Sequence, residues 1–184
     1  MKLLLGTVFV ICLTHLGTVE ASAQKIPSPS IAVMDVQGVM RDSLAAKNIR
    51  PQAQKLRAQF QKNVRQQQDK LRKEEKTLAE QRVVLSPESF AKKRRDFETR
   101  ARQAQRDVQA RKQTLDNAFG AAMEKVRRSL IIVAQELAKE NKVNIVLPKS
   151  VVFLSVKSLD LSTQALKRLN KILPSVKVVV KEKK

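Results

Sequence analysis

The side chains that most often carry catalysis or bind metals are scarce in this sequence. Its single cysteine is Cys12 and its single histidine is His15. Thiol and imidazole groups ligate zinc, form disulfides and build nucleophile and base pairs. Whether the functional protein contains either group therefore depends on the fate of the N-terminal segment.

The N-terminal segment has the pattern of a secretory signal peptide. Lys2 precedes an apolar run that reaches Leu16, and the small residues Ala-Ser-Ala follow at positions 21–23. The run is too short to span a bilayer comfortably. We therefore predict that residues 1–23 are a signal peptide cleaved after about Ala23. An uncleaved membrane anchor is the alternative.

Cleavage removes the only thiol and the only imidazole of the chain. Gly38 and Gly120 are the glycines that remain, too few for a glycine-rich phosphate-binding loop. Without imidazole, thiol or such a loop, the usual nucleophilic, zinc-dependent and ATP-dependent chemistries lack their residues. We therefore predict that the protein is not an enzyme, has no catalytic residue, and uses no metal or other cofactor.

The chain is strongly basic, with 37 Lys and Arg against 17 Asp and Glu and a formal net charge of +20. Such a charge favours polyanionic partners, nucleic acid among them. Base stacking requires aromatic side chains, however, and the sequence has six Phe, no Trp and no Tyr. Since the chain is also predicted to be exported, we expect no nucleic-acid partner. An anionic surface is the expected partner instead.

A long helical hairpin is predicted for residues 43–137. Apolar residues recur mostly every three, four or seven positions on both sides of a break, as on one stripe of an α-helix. At the break, Ser86 can cap a helix, Pro87 suits its first position and Glu88 its first turn. Helices of about 40 and 50 residues exceed ordinary globular lengths. The pattern therefore favours an antiparallel coiled coil with its tip near residues 85–88.

Strand-forming segments flank the hairpin on both sides. Residues 31–36, 143–147 and 151–154 are predicted strands, and Ser162 is placed to cap a short helix after them. Residues 24–42 and 138–184 should thus form a small β-rich body, which makes the fold class α+β, mostly α. A small sheet with open edges buries too little apolar surface for a monomer, so oligomerisation is expected. Residues 176–180 are either an added strand or part of a disordered basic tail.

The chain contains, in this order, the segments 31–37 (IAVMDVQ), 85–88 (LSPE), 138–140 (AKE), 149–150 (KS), 159–162 (LDLS) and 166–170 (LKRLN). Together, these segments resemble the Skp/OmpH family of periplasmic chaperones. The chain departs from the usual family pattern at Pro148, at residues 141–143, which lack a glycine, and in the long tail beyond Asn170.

The resemblance implies a periplasmic homotrimer whose strands form a small β-barrel body. Three helical hairpins would project from this trimeric barrel around a central cavity. Family members hold unfolded outer-membrane β-barrel proteins in that cavity without ATP and prevent their aggregation. The alternative function is that of a structural coiled-coil envelope protein that binds anionic polymers or membrane surfaces. The residues expected in the trimer body are Ile31, Val33, Val36, Ile145, Leu147, Val152 and Leu154.

Two sets of arm residues are the candidates for client binding. The basic set would contact acidic clients, anionic lipid or lipopolysaccharide; alternatively it is a solvated helix face. The apolar set would touch client segments; alternatively it only holds the two helices together. The apolar candidates are Phe60, Val64, Leu71, Leu78, Phe90, Phe97 and Val108, and the basic candidates are Lys92, Lys93, Arg94, Arg95, Arg100 and Arg102.

Overall fold

A computed structural model describes residues 27–181, so the predicted signal peptide, residues 1–23, lies outside the described part of the chain. This part is mostly helical with one small sheet, in agreement with the predicted class. Its strands and helices are β1 (Ile31–Met34), α1 (Val36–Asp42), α2 (Leu44–Glu80), α3 (Pro87–Glu140), β2 (Ile145–Pro148) and α4 (Ser162–Ile172), with short 3-10 turns at Gln81–Val83, Lys149–Val151 and Lys157–Leu159.

The two long helices α2 and α3 run antiparallel as a hairpin, as predicted. They have 37 and 54 residues, which corresponds to lengths of about 55 and 80 Å. The predicted break and cap are also confirmed, because α3 begins at Pro87 and the Ser86 Oγ accepts a hydrogen bond from the Ser89 amide at 3.3 Å. Glu88 lies in the first turn, where its charge is favourable. The turn that joins the helices forms the tip of the hairpin.

The sheet consists of β1 and β2, which pair in parallel from Ile31 with Ile145 to Met34 with Pro148. The entire hairpin is therefore the connection between two neighbouring strands. The predicted strand over residues 31–36 is too long, because β1 ends at Met34 and Val36 already belongs to α1. Asp35 terminates the strand by capping that helix, where its Oδ1 accepts a hydrogen bond from the Gly38 amide at 2.8 Å.

The predicted strand over residues 151–154 is wrong. Val151 ends a 3-10 turn, and neither Val152 nor Leu154 belongs to a strand. The sheet of the described residues thus has two strands plus a single bridge between Val33 and Asp160. The trimeric barrel stays a prediction, since the structure describes one chain.

Ser162 does not cap α4 as predicted; it is the first residue of the helix. Its amide donates to Asp160 Oδ1 at 2.9 Å, and its Oγ accepts from the Asp35 amide at 2.8 Å. The Leu161 amide donates to the Val33 carbonyl at 2.9 Å. These bonds join the start of α4 to the end of β1, which fixes the body around the strand.

The hydrophobic core lies in the body and at the base of the hairpin. Ser43, fully buried between α1 and α2, accepts a hydrogen bond from the Ala46 amide and donates one to the Met40 carbonyl. No helix within residues 27–181 has both the length and the apolar character needed to cross a membrane. The largest fully buried apolar side chains are Met34, Ile49, Leu137, Leu169, Val33, Val126 and Val133.

Candidate functional site

The outer part of the hairpin, residues 54–117, is called the arm here and contains the predicted client-binding stripe. Among these residues only Ala104 is buried, with 7% of its surface exposed. The stripe residues line the space between the two helices without closing it. All of the apolar candidates are half-buried: Phe60, Val64, Leu71, Leu78, Phe90, Phe97 and Val108.

Two gaps open between the helices of the arm. The outer gap, near the tip, has a volume of about 400 Å³ and brings Leu78 together with Phe97. The inner gap has a volume of about 270 Å³ and brings Phe60 and Val64 together with Val108. Five of the seven stripe candidates therefore line an opening, rather than a closed seam.

Charged side chains surround the apolar floor of the outer gap. Lys73, Lys93 and Arg100 supply positive charge, and Glu74 and Asp96 supply negative charge. A groove of this composition can accept an apolar side chain while its rim contacts polar main chain or charged groups. The inner gap has a milder rim, formed by Asn63, Gln67, Asp107 and Arg111.

Few polar contacts hold the two arm helices in register. The Arg100 Nη2 lies 3.3 Å from Glu74 Oε2, and the Lys93 Nζ donates to Gln81 Oε1 at 2.8 Å. An exposed ion pair such as Arg100–Glu74 contributes at most about 1 kcal/mol. The arm is therefore held by a thin apolar stripe and a small number of weak surface contacts.

The basic candidates all lie on the surface of α3, and carboxylates neutralise part of their charge. Arg94 and Arg102 approach Glu98 at 3.3 and 3.9 Å, and Arg100 pairs with Glu74. Within residues 27–181, Lys92 and Arg95 form no salt bridge. Among the basic candidates, the uncompensated charge thus comes from these two side chains and from Lys93, whose partner is a neutral amide.

A family model described as "Outer membrane protein (OmpH-like)" matches residues 30–169, about three quarters of the chain. The chain belongs to the OmpH family. A crystal structure from Caulobacter crescentus, described as an OmpH-like outer membrane chaperone, has the same fold, with a TM-score of 0.76. The two sequences are 15% identical, and the match covers 86% of this chain and 94% of that chain. No curated protein sequence matches the chain.

The body of this OmpH-family chain exposes apolar side chains between β2 and α4. Phe153 is fully exposed, and Leu154, Val151 and Val156 are exposed by 85, 71 and 63%. Of the predicted trimer-body residues, Ile31, Val36, Ile145 and Leu154 are exposed, Leu147 and Val152 are half-buried, and Val33 is buried.

Sequence reasoning missed three of these exposed side chains, Val151, Phe153 and Val156. It also missed Val83 and Val84 at the tip, which are exposed by 89 and 80%. The signal in both cases was a β-branched or aromatic run beside a helix break. The run at residues 151–154 was interpreted as a strand.

The perturbed carboxyl groups of this OmpH-family chain are ionised more readily than usual. Lys149 donates to Asp160 Oδ2 at 2.8 Å and, with the hydrogen bonds from Ser162, lowers the pKa of Asp160 to about 2. Arg127 and Arg128 likewise lower the pKa of Glu124 to about 2. A general acid at neutral pH needs the opposite shift. These groups therefore serve as structural ion pairs.

Proposed function

We propose that this OmpH-family protein is an ATP-independent periplasmic holdase that binds unfolded outer-membrane proteins between its arms and prevents their aggregation. The observation that carries the proposal is the half-buried apolar stripe that lines open gaps in the arm. The fold shared with an OmpH-like outer membrane chaperone supports it. Export to the periplasm rests on the signal-peptide pattern of residues 1–23.

Weak, scattered contacts suit this function. A shallow gap accepts an apolar side chain from many sequences without selecting one, and several such contacts along two helices add up by avidity. The stable core of the body leaves the arm free to keep its apolar residues partly open. Positive charge on the arm accelerates the encounter with acidic unfolded chains, and salt weakens this attraction.

The proposed assembly is a homotrimer joined through the body. A monomer that exposes Phe153 and Leu154 almost completely leaves a large apolar surface in water, which is typical of an interface. Three arms projecting from one body would enclose a cavity for the client. The trimer, the barrel and the cavity are all parts of the proposal.

Light scattering of a urea-diluted outer-membrane β-barrel protein tests the function. The protein should suppress aggregation at a ratio near one trimer per client. The variant Phe60→Ala/Leu78→Ala/Phe97→Ala should lose most of this protection while circular dichroism shows retained helices. Ile172→Ala, a half-exposed apolar residue of the body, is the control and should protect fully. Failure of the wild-type trimer to protect the client would refute the proposal.

Binding to anionic surfaces is the second candidate function, favoured by the uncompensated Lys92, Lys93 and Arg95 near the tip. Cosedimentation with anionic vesicles, neutral vesicles and lipopolysaccharide separates the sources of negative charge. Lys92→Gln/Arg95→Gln should weaken binding to anionic surfaces, whereas the body variant Lys157→Gln should not. Equal binding to neutral and anionic vesicles would contradict this role. A rod that binds anions yet protects no client would match the structural envelope alternative.

A further inference from the structure

The chain continues beyond α4 as an extended segment, residues 173–181, here called the strap. Val176 and Val178 are buried, with 5 and 8% of their surfaces exposed, and Val180 is half-buried. The intervening Lys177 and Val179 face solvent. This period of two is that of an extended chain lying on an apolar surface. The strap lies outside residues 30–169, which match the family model.

One side chain of the hairpin, Gln52 of α2, clamps the strap. Its Nε2 donates to the Val176 carbonyl at 2.9 Å, and its Oε1 accepts from the Val178 amide at 3.0 Å. The glutamine amide thus satisfies one main-chain acceptor and one main-chain donor, as a neighbouring strand would. The Nε2 also lies 2.8 Å from Asn48 Oδ1, which fixes the orientation of the clamp on the helix.

Gln52 stands directly after a weak point of α2. Pro51 lies inside the helix, and because proline has no N–H, the carbonyl of Lys47 lacks its usual helical partner. In α3 the corresponding weak point is Gly120, where a Cβ would meet no atom within 4 Å. A glycine inside a helix lowers its stability and its stiffness.

These two weak points lie within about two helical turns of each other along the hairpin. Arg57, less than two turns after Pro51, stands over the ring of Phe119 with its Cζ 5.7 Å from the centroid. Phe119 is the neighbour of Gly120. The continuous core also ends here, with Ala53 and Ala118 buried and only Ala104 buried farther out. Both helices are thus weakened where the body stops and the arm begins.

We propose that residues 51–53 and 118–122 form a hinge for the arm and that the strap, clamped by Gln52, locks it. The strap bridges the body and the first turn beyond Pro51, so bending of α2 at the proline must break the clamp or pull Val176 and Val178 from the core. Release of the strap would let the arm swing relative to the body. The inference concerns the geometry of the arm and holds whether or not the arm binds clients.

Spin labels on the tip and the body measure the swing. Glu88→Cys and Lys157→Cys place one label at each site in the predicted mature chain, which begins after Ala23 and so lacks Cys12. Labelled chains are diluted with unlabelled ones so that only distances within a chain are measured. Gln52→Ala should broaden the distance distribution. It should also accelerate hydrogen exchange about tenfold in residues 48–56 and 117–124, as expected for loss of a pair of hydrogen bonds.

Gln59→Ala is the matched control, because Gln59 is a glutamine of the same helix whose amide donates only to the Asn63 side chain. It should leave both measurements unchanged. A chain that ends at Pro174 should behave like Gln52→Ala. Adding Gly120→Ala to Gln52→Ala should narrow the distribution of distances between the labels again, because alanine stiffens α3. An unchanged distribution in Gln52→Ala overturns the proposal, as does faster exchange that is uniform along the chain.

Discussion

Lys142 shows how one residue adapts the junction between α3 and the sheet. It adopts a left-handed conformation with φ 54°, which favours glycine. The Val143 amide donates to the Ala138 carbonyl at 2.8 Å and the Lys142 amide to the Lys139 carbonyl at 3.2 Å. This is the Schellman arrangement. The departure from the family pattern noted at this position therefore keeps the turn but places a side chain where glycine is least strained.

Lys142→Gly should stabilise the protein by about 1 kcal/mol, because glycine adopts positive φ without steric cost. Urea denaturation followed by circular dichroism measures the change. Lys139→Gly, in the last turn of α3, should instead destabilise the protein by about 0.5–1 kcal/mol. Opposite changes in stability from the same lysine-to-glycine substitution at these two positions would identify the backbone conformation as the cause. Destabilisation by Lys142→Gly would contradict this explanation.

Asp160 makes stability depend on pH in the acid range. Its pKa is about 2 in the folded protein, against an ordinary value of 3.8. The unfolded state therefore binds more protons between these values, and the stabilisation from ionised Asp160 is present above pH 4 and is lost as pH falls towards 2. Asp160→Asn should cost about 1–2 kcal/mol at neutral pH.

The difference in unfolding free energy between wild type and Asp160→Asn should shrink as the pH falls from 4 to 2. Urea titrations at a series of pH values measure it. Asp116→Asn, at an exposed position on the arm, serves as the control. A difference that stays constant over this range would show that the Lys149 pair does not stabilise the folded state.

At the scale of elements, the sequence predicted the helices better than the strands. The stripe spacing and the Ser86-Pro87 cap are local signals, and the structure has both long helices where they indicate. The predicted strand over residues 31–36 extends past the end of β1 at Met34, because the Asp35 cap that ends the strand depends on side-chain geometry. Residues 151–154 have strand-like composition, but no strand within residues 27–181 pairs with them. The stripe was predictable from the sequence, whereas the gaps depend on the register between two helices, which the sequence does not reveal.

The helices should differ in stability along their length. Leu130, in the body end of α3, is 3% exposed, whereas Leu78 on the arm is half-buried. Leu130→Ala should therefore cost about 3 kcal/mol and Leu78→Ala about 1 kcal/mol or less. Chemical denaturation gives both values. Equal costs would mean that the arm is packed as tightly as the body, against the open gaps described above.

At the scale of the whole molecule, positive charge lies both on the hairpin and on the C-terminal part of the body. The net charge is +6 in residues 49–85, +5 in residues 86–137 and +8 in residues 138–184. The most exposed apolar side chains lie at the two ends of the molecule, Val83 and Val84 at the tip and Phe153 and Leu154 on the body. The exposed apolar side chains of the body suit association with copies of itself, whereas the positive charge of the hairpin makes neighbouring hairpins repel one another.

Phe153→Asp/Leu154→Asp should therefore weaken the assembly more than tenfold, because charges buried in an interface carry a desolvation cost. Sedimentation equilibrium measures the mass in solution, and the wild type should be a trimer. Val83→Asp/Val84→Asp is the control, with similarly exposed apolar residues at the tip, and should leave the mass unchanged. A wild-type monomer, or a double variant that stays trimeric, would contradict assembly through this surface.

The parallel pairing of β1 with β2 also constrains the order of folding. Ile31 pairs with Ile145, which lies 114 positions later in the chain. A chain that emerges with its N-terminus first exposes β1 long before β2 exists. The hairpin, by contrast, forms from residues that are close in sequence. We therefore expect the helices to form during emergence and the sheet to close last, which leaves the β1 edge unpaired through most of synthesis and export.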